Sequence, residues 1–236
     1  MSELNVLKFY DDKKESLKLE IIAGKDGLDR KITTSEINRL GLLLTGFLDY
    51  FPKERIHILG VGDHLYITKM APDERIRIFN LLFTNPEMPA LIISGAVTPH
   101  RELIEVCNSQ KLPVLMTSVE PSQLAGELVF YLEESLSPKI IRHGALVSVY
   151  GYGILIEGAS GVGKSECAMG LIRRGHRFVA DDIIEIRRHS EGVLTGKSDG
   201  FIQNYMEVRG LGIIDVVNIF GIGAVLEKTK IDMVVR

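Results

Sequence analysis

Residues 158 to 165 read Gly158-Ala159-Ser160-Gly161-Val162-Gly163-Lys164-Ser165, between the apolar run Ile154-Leu155-Ile156 and the amphipathic stretch Glu166 to Arg174. A strand, a glycine-rich bend and a helix in that order leave few folds open, because the bend must hand the chain from a sheet to a helix within a few residues. The eight residues fit the phosphate-binding P-loop pattern in full. Glycines let successive backbone N–H groups point at phosphate oxygens, Lys164 reaches the β and γ phosphates, and the Ser165 hydroxyl is placed to ligand magnesium. The helix that follows turns its positive end toward the same anion. A nucleoside triphosphate is therefore the expected ligand. A glycine-rich structural turn is the competing reading, and a strand before and a helix after the loop separate the two.

The chain has 236 residues, 45% of them hydrophobic and 25% charged, with a net charge of −3 and a pI near 6.1. That length suits two modest domains. Mild acidity, with no Lys/Arg cluster beyond adjacent pairs such as Arg187-Arg188, gives no footprint for nucleic acid, so none is expected as a partner. Met1-Ser2-Glu3-Leu4 runs toward the charged Asp11-Asp12-Lys13-Lys14-Glu15 and lacks the apolar core of a signal peptide. No apolar run nears the roughly 18 to 20 residues that span a bilayer, so no membrane is expected either. The two cysteines, Cys107 and Cys167, make no metal or disulfide pattern. A reducing, cytoplasmic setting is the simplest expectation.

The sequence divides into an N-terminal domain over 1–133 and a second domain over 134–236. In the first, apolar runs at 19–22, 56–59, 90–93 and 114–116 read as strands, with helices expected at 35–48, 73–83 and 99–108. This βα alternation predicts a mostly parallel sheet. Residues 121–136 predict a helix with Leu124, Leu128, Leu132 and Leu136 on one face, ended by Ser137-Pro138-Lys139. From Ile140 the texture turns β-rich. Ala145 to Tyr150 and the run before the P-loop, joined by Gly151-Tyr152-Gly153, read as a hairpin. Phe178-Val179-Ala180 reads as a short strand ending at Asp181-Asp182, with Ile183 to Ile186 extended beyond it. Glu191-Gly192 suggests a turn, and Gly196 to Tyr205 a loop.

A P-loop fixes the ligand and leaves the reaction open. Phosphoryl transfer also needs a carboxylate to orient or deprotonate the nucleophile, and Asp181-Asp182 supplies two after a strand. Neighbours in extended chain face opposite sides, which predicts that one of the pair points at the γ-phosphate. An Asx turn or a helix cap is the alternative for this pair. His143, in Arg142-His143-Gly144, is either a surface residue or a hydrogen-bond partner for a carboxylate or phosphate. Glu207 opens Glu207-Val208-Arg209-Gly210-Leu211-Gly212-Ile213-Ile214-Asp215-Val216 and fits a magnesium ligand or a solvated strand before a turn.

Three stretches together resemble the HPr kinase/phosphorylase family: the P-loop followed directly by Glu166, Arg174-Gly175-His176-Arg177-Phe178-Val179-Ala180-Asp181-Asp182, and Glu207 to Ile214. The combination is far more specific than a P-loop alone. The resemblance implies an α/β chain whose second domain has a kinase core of the phosphoenolpyruvate carboxykinase type. It implies ATP-dependent phosphorylation of a regulatory serine on HPr, the phosphocarrier of the bacterial sugar phosphotransferase system. It also implies the reverse attack of inorganic phosphate on phosphoserine, giving pyrophosphate.

By the same resemblance Lys164 binds phosphate, Ser165 and Glu207 ligand Mg²⁺, and Asp181-Asp182 holds the base, with Asp182 favoured. His143 matches the family's catalytic histidine. A homo-oligomer, the family's hexamer, is implied, as is a further C-terminal segment with a catalytic arginine and helices, so that the sequence reads as a C-terminally truncated member. Ala159 stands where many relatives carry Asp, a change that a loop working through backbone N–H groups tolerates. A P-loop kinase of another substrate and an ATP-binding module without turnover remain as alternatives.

Overall fold

The computed structural model describes residues 4–189, 192–199 and 203–236, and the chain falls into two compact units, Met1–Leu136 and Ser137–Arg236. The first unit holds α1 (Val6–Lys13), β1 (Glu20–Ala23), β2 (Ile37–Arg39), β3 (Ile56–Leu59), α2 (Val61–Thr68), α3 (Pro72–Phe83), β4 (Leu91–Ser94), α4 (Arg101–Ser109), β5 (Val114–Thr117) and α5 (Pro121–Leu136). Its five-stranded sheet has the order β1-β5-β4-β3-β2. All pairs are parallel except β1 with β5, so the mostly parallel sheet expected from the alternation is present. Its central strands β3 and β4 are buried throughout, which explains their unbroken apolar runs.

Helices cover both faces. Phe79, Phe83, Leu103 and Cys107 of α3 and α4 pack on one, and Leu124, Leu128 and Leu132 of α5 with Phe9 of α1 pack on the other. Each such side chain, fully buried, contributes about 1.5–3 kcal/mol.

The helix expected at 35–48 is absent. Residues 37–39 form the edge strand β2, paired parallel with β3, and only Gly41–Thr45 coil, as a 3-10 turn that buries Leu43 and Leu44. The helical spacing of Leu40, Leu43 and Leu44 is real, but Gly41 and Gly46 sit at φ +30° and +87° and confine the coil to little more than a turn.

The second unit holds β6 (Lys139–Val149), β7 (Tyr152–Ile156), α6 (Lys164–Ile172), β8 (Arg177–Arg188), β9 (Leu194–Ser198), β10 (Tyr205–Val208), β11 (Gly212–Asp215), α7 (Val216–Phe220), β12 (Lys228–Lys230) and β13 (Met233–Val235). Six strands form one sheet in the order β12-β9-β8-β6-β7-β13, and β10 and β11 form a separate hairpin. The expected hairpin of β6 and β7 turns through Tyr150 and Gly151, both at positive φ, the backbone that matches a two-residue turn to the strands' twist.

α6 packs Ala168 and Ile172 against Ala145, Val147 and Phe178 on one face of the sheet. β8 does not end at Asp181-Asp182 as expected. It continues to Arg188 because Ile183 to Arg187 pair with β6 on one side and Ile184 to Arg188 with β9 on the other. Of the loop expected over Gly196 to Tyr205, Gly196 and Ser198 belong instead to β9 and Tyr205 to β10; Gly200, and Glu191 of the expected turn, lie outside the described residues.

Candidate functional site

β7 delivers the chain from the sheet to the loop Glu157–Gly163, and α6 begins at Lys164. The strand and the helix thus stand where the P-loop reading needs them. Gly163, at the helix N-cap, has φ +101°, a conformation that a side chain would strain. The ammonium group of Lys164 donates to the carbonyl oxygens of Gly158 (3.2 Å) and Ala159 (3.0 Å), so its charge lies over the loop. The remaining loop positions, Ser160, Gly161 and Val162, are exposed, and Val162 shows 66% of its surface to solvent.

One residue further along, the Ser165 hydroxyl donates to the Asp181 carboxylate, at 2.9 Å from Oδ2 and 3.1 Å from Oδ1. The backbone N–H of Glu207, on β10, donates to the same Asp181 Oδ2 at 3.3 Å. Asp181 therefore ties together the first turn of α6, the strand β8 and the hairpin of β10 and β11. Burial pushes its carboxyl above the usual range, and the bonds from Ser165 and from the backbone N–H groups of Glu207 and Asp182 pull the other way. Asp181 is thus partly buried beside the first turn of α6, with both of its oxygens already accepting hydrogen bonds.

Asp182 takes a different environment. Its φ of +69° is a left-handed conformation that aspartate adopts more readily than most residues, and it breaks the strict alternation of faces expected for this pair. Its Oδ1 lies 3.5 Å from His143 Nδ1, and both side chains are largely exposed, at 78% and 76%. His143 stands on β6 opposite Ile183, and Ala145, two residues on, stands opposite Asp181 against α6. Asp181 and the His143–Asp182 pair therefore lie on the sheet face that carries α6. The two aspartates divide between a hydroxyl and an imidazole.

Serine hydroxyl and carboxylate oxygens are hard donors of the kind that magnesium takes, and magnesium commonly keeps waters and substrate phosphates as its other ligands. Among the described residues no group of three or more His, Cys, Asp or Glu side chains gathers around one point. A site completed by phosphate oxygens does not require such a group. Sequence reasoning placed Ser165, Glu207 and the aspartate pair but missed that Asp181 itself joins Ser165 to the Glu207 backbone. It also missed the cationic set around Glu185, whose members lie on three strands, Lys139 on β6, Glu185 and Arg187 on β8, and Lys197 on β9.

Residues 4–132 match the model of the HPr serine kinase N terminus, and residues 134–236 match that of the HPr serine kinase C-terminal domain. The HPr kinase/phosphorylase of Listeria monocytogenes serotype 4a (strain HCC23) is 43% identical over 225 residues, which cover 95% of this chain and 72% of that protein. The HPr kinase/phosphorylase of Levilactobacillus brevis is 41% identical over 219 residues, covering 93% of this chain and 70% of the relative. Among solved structures, the Hpr(Ser) kinase/phosphatase from Coxiella burnetii aligns at 33% identity and a TM-score of 0.38, over 40% of this chain and 57% of that one. With both halves matched in order and such identity along nearly the whole length, the chain belongs to the HPr serine kinase family.

Proposed function

We propose that this protein transfers the γ-phosphoryl group of ATP to a serine of HPr and, in the opposite direction, removes it. It is a serine kinase/phosphorylase. The observation that carries the reading is the grouping of Lys164, the Ser165–Asp181 pair and the Asp182–His143 pair in one unit of an HPr serine kinase family member. In this reading residues 158–165 cradle the triphosphate through backbone N–H groups, and Lys164 leaves its carbonyl partners for the β and γ oxygens. Ser165 and Asp181 hold the magnesium, with Glu207 beside them. The ion, when bound, offsets charge on the phosphate oxygens.

Asp182 is the base. It accepts the serine proton as the Oγ–P bond forms and the bond from Pγ to the β-phosphate oxygen breaks, leaving ADP. In reverse, inorganic phosphate attacks the phosphoserine phosphorus, pyrophosphate forms, and the departing serine oxygen takes its proton back from the same carboxyl. His143 stands 3.5 Å away and orients that carboxylate. The assignment favours Asp182 because Asp181 is already engaged by Ser165, whereas Asp182 faces solvent, where a protein serine can reach it. A kinase core of the phosphoenolpyruvate carboxykinase type, a cytoplasmic setting and a homo-oligomer belong to the same proposal. No helix among the described residues is long and apolar enough to cross a membrane.

The test is incubation with γ-labelled ATP, magnesium and purified HPr, followed by phosphoamino-acid analysis. Label on an HPr serine is the expected result. ADP release without label on HPr points to another acceptor, and ATP binding with neither product overturns the catalytic reading.

A further inference from the structure

We propose that the strip of the second sheet running outward from the His143–Asp182 pair, through Ile183 and Ile141 to Lys139 and Lys197, is the docking surface for the phosphoacceptor protein. The partner presents apolar residues beside its serine and carboxylates farther out. This inference rests on the kinase reading above and names the surface by which that site takes its protein substrate.

The strip follows from register. His143 stands opposite Ile183, Ile141 opposite Glu185, Lys139 opposite Arg187, and Glu185 opposite Lys197. Opposed residues of a ladder share a face, so all of these lie on the same face as Asp181 and α6. Next to the catalytic pair Ile183 is 39% exposed and Ile141 43% exposed. Two exposed branched residues side by side at the edge of a catalytic site mark a contact surface more strongly than scattered ones would. A serine hydroxyl stands one methylene from its backbone. To bring it to Asp182, the acceptor's main chain must come within a few ångströms, and its neighbouring residues must then rest on Ile183 and Ile141.

Charge specifies the rest of the partner. Glu185, with 4% of its side chain exposed, accepts from Lys139 at 2.8 Å and from Arg187 at 2.6 Å, and Lys197 stands 3.6 Å away. One negative charge meets three positive ones. Lys139 and Lys197 turn their ammonium groups to Glu185 yet keep 46% and 36% of their side chains in solvent, so the set leaves an excess of positive charge at the surface. In register, Lys228 stands beside Lys197, which prolongs the basic row. Small-molecule sites are concave and enclose their ligands. This is an open sheet face, and positive charge on such a face selects and steers an acidic protein surface.

The experiment measures the affinity of the full chain for purified HPr by calorimetry, with ATP affinity as the control for an intact fold. The double variant Lys139→Gln/Lys197→Gln should bind HPr about tenfold more weakly and with a flatter dependence on salt. Ile183→Ser should weaken binding without altering the salt dependence, and Lys53→Gln/Lys69→Gln, on the first unit, should leave HPr affinity unchanged. If wild type and all variants bind HPr alike, the docking surface is wrong and the kinase reading stands. If wild type binds ATP but no HPr, the kinase reading fails and takes this surface with it. Variants that keep HPr affinity but dissociate copies of the chain in sedimentation would assign the strip to a second copy and overturn the proposal.

Discussion

At the residue scale, the site turns on what each polar group already touches. The Lys164 ammonium rests on two carbonyl oxygens of its own loop, a modest arrangement that, in the proposed reading, phosphate oxygens would replace with stronger charge-assisted bonds. Lys164→Ala should therefore abolish phosphorylation of HPr and its reversal while leaving the melting temperature nearly unchanged; full activity in that variant would remove the P-loop from the mechanism. The aspartates should behave differently from each other. Asp182→Asn should lower kinase turnover by about 10²–10⁴-fold with nucleotide affinity nearly intact. Asp181→Asn should weaken magnesium-dependent nucleotide binding, because it alters the partner of Ser165. Equal retention of turnover in both variants, measured with labelled ATP, would leave the pair structural. The types and positions of these residues were legible in the sequence because the P-loop and Asp181-Asp182 are local patterns. Their division of labour was not, since it depends on the left-handed backbone of Asp182 and on hydrogen bonds across 16 and 26 positions.

At the element scale, local signals were readable where periodicity and punctuation agree. The helix over 121–136, with its leucine face, stands where the spacing put it, and the hairpin ahead of the P-loop closes at its glycine. Elements defined by distant partners escaped. The edge strand β2 has only three residues and exists because β3 offers a parallel edge, and α1 and α2 are eight-residue helices too short to show much period. The crossing of β7 by the chain beyond β12 is likewise invisible in sequence. There Gly153 donates to Asp232 Oδ2 at 3.0 Å and accepts from the Asp232 N–H at 2.8 Å, while a Cβ on Gly153 would stand 1.8 Å from the Lys230 carbonyl oxygen. Gly153→Ala must push backbone aside, at a cost of about 1–3 kcal/mol. Because β7 leads into the P-loop, ATP affinity should fall along with the denaturation midpoint. An alanine variant with both unchanged would show that this crossing yields freely.

At the scale of the whole molecule, each of the two compact units carries its own buried ionisable group, and the two respond to acid over different ranges. In the second unit burial opposes the charge on Glu185, but Lys139, Arg187 and Lys197 outweigh it and hold the carboxyl at about 2. Stability from that group is complete above the ordinary carboxylate value of 4.5 and is lost only as pH falls toward 2. In the first unit His57 is fully buried, and burial lowers its pKa from 6.5 to about 4. Its partners suit the neutral ring: Nε2–H donates to the Pro52 carbonyl at 3.1 Å, and Nδ1 accepts from the Asn38 amide at 3.3 Å. A proton on Nδ1 would face that amide donor with another donor. The folded pKa is depressed, so the unfolded chain takes up the proton first. Stability from His57 is whole above 6.5 and declines as pH falls through the range down to about 4, by a total of about 3 kcal/mol. The difference in unfolding free energy between wild type and His57→Gln should shrink as pH drops from 7 to 4, and amide exchange should place the loss in the first unit. A difference that stays constant over that interval would mean that His57 carries its proton in the folded chain, against the geometry of both its hydrogen bonds.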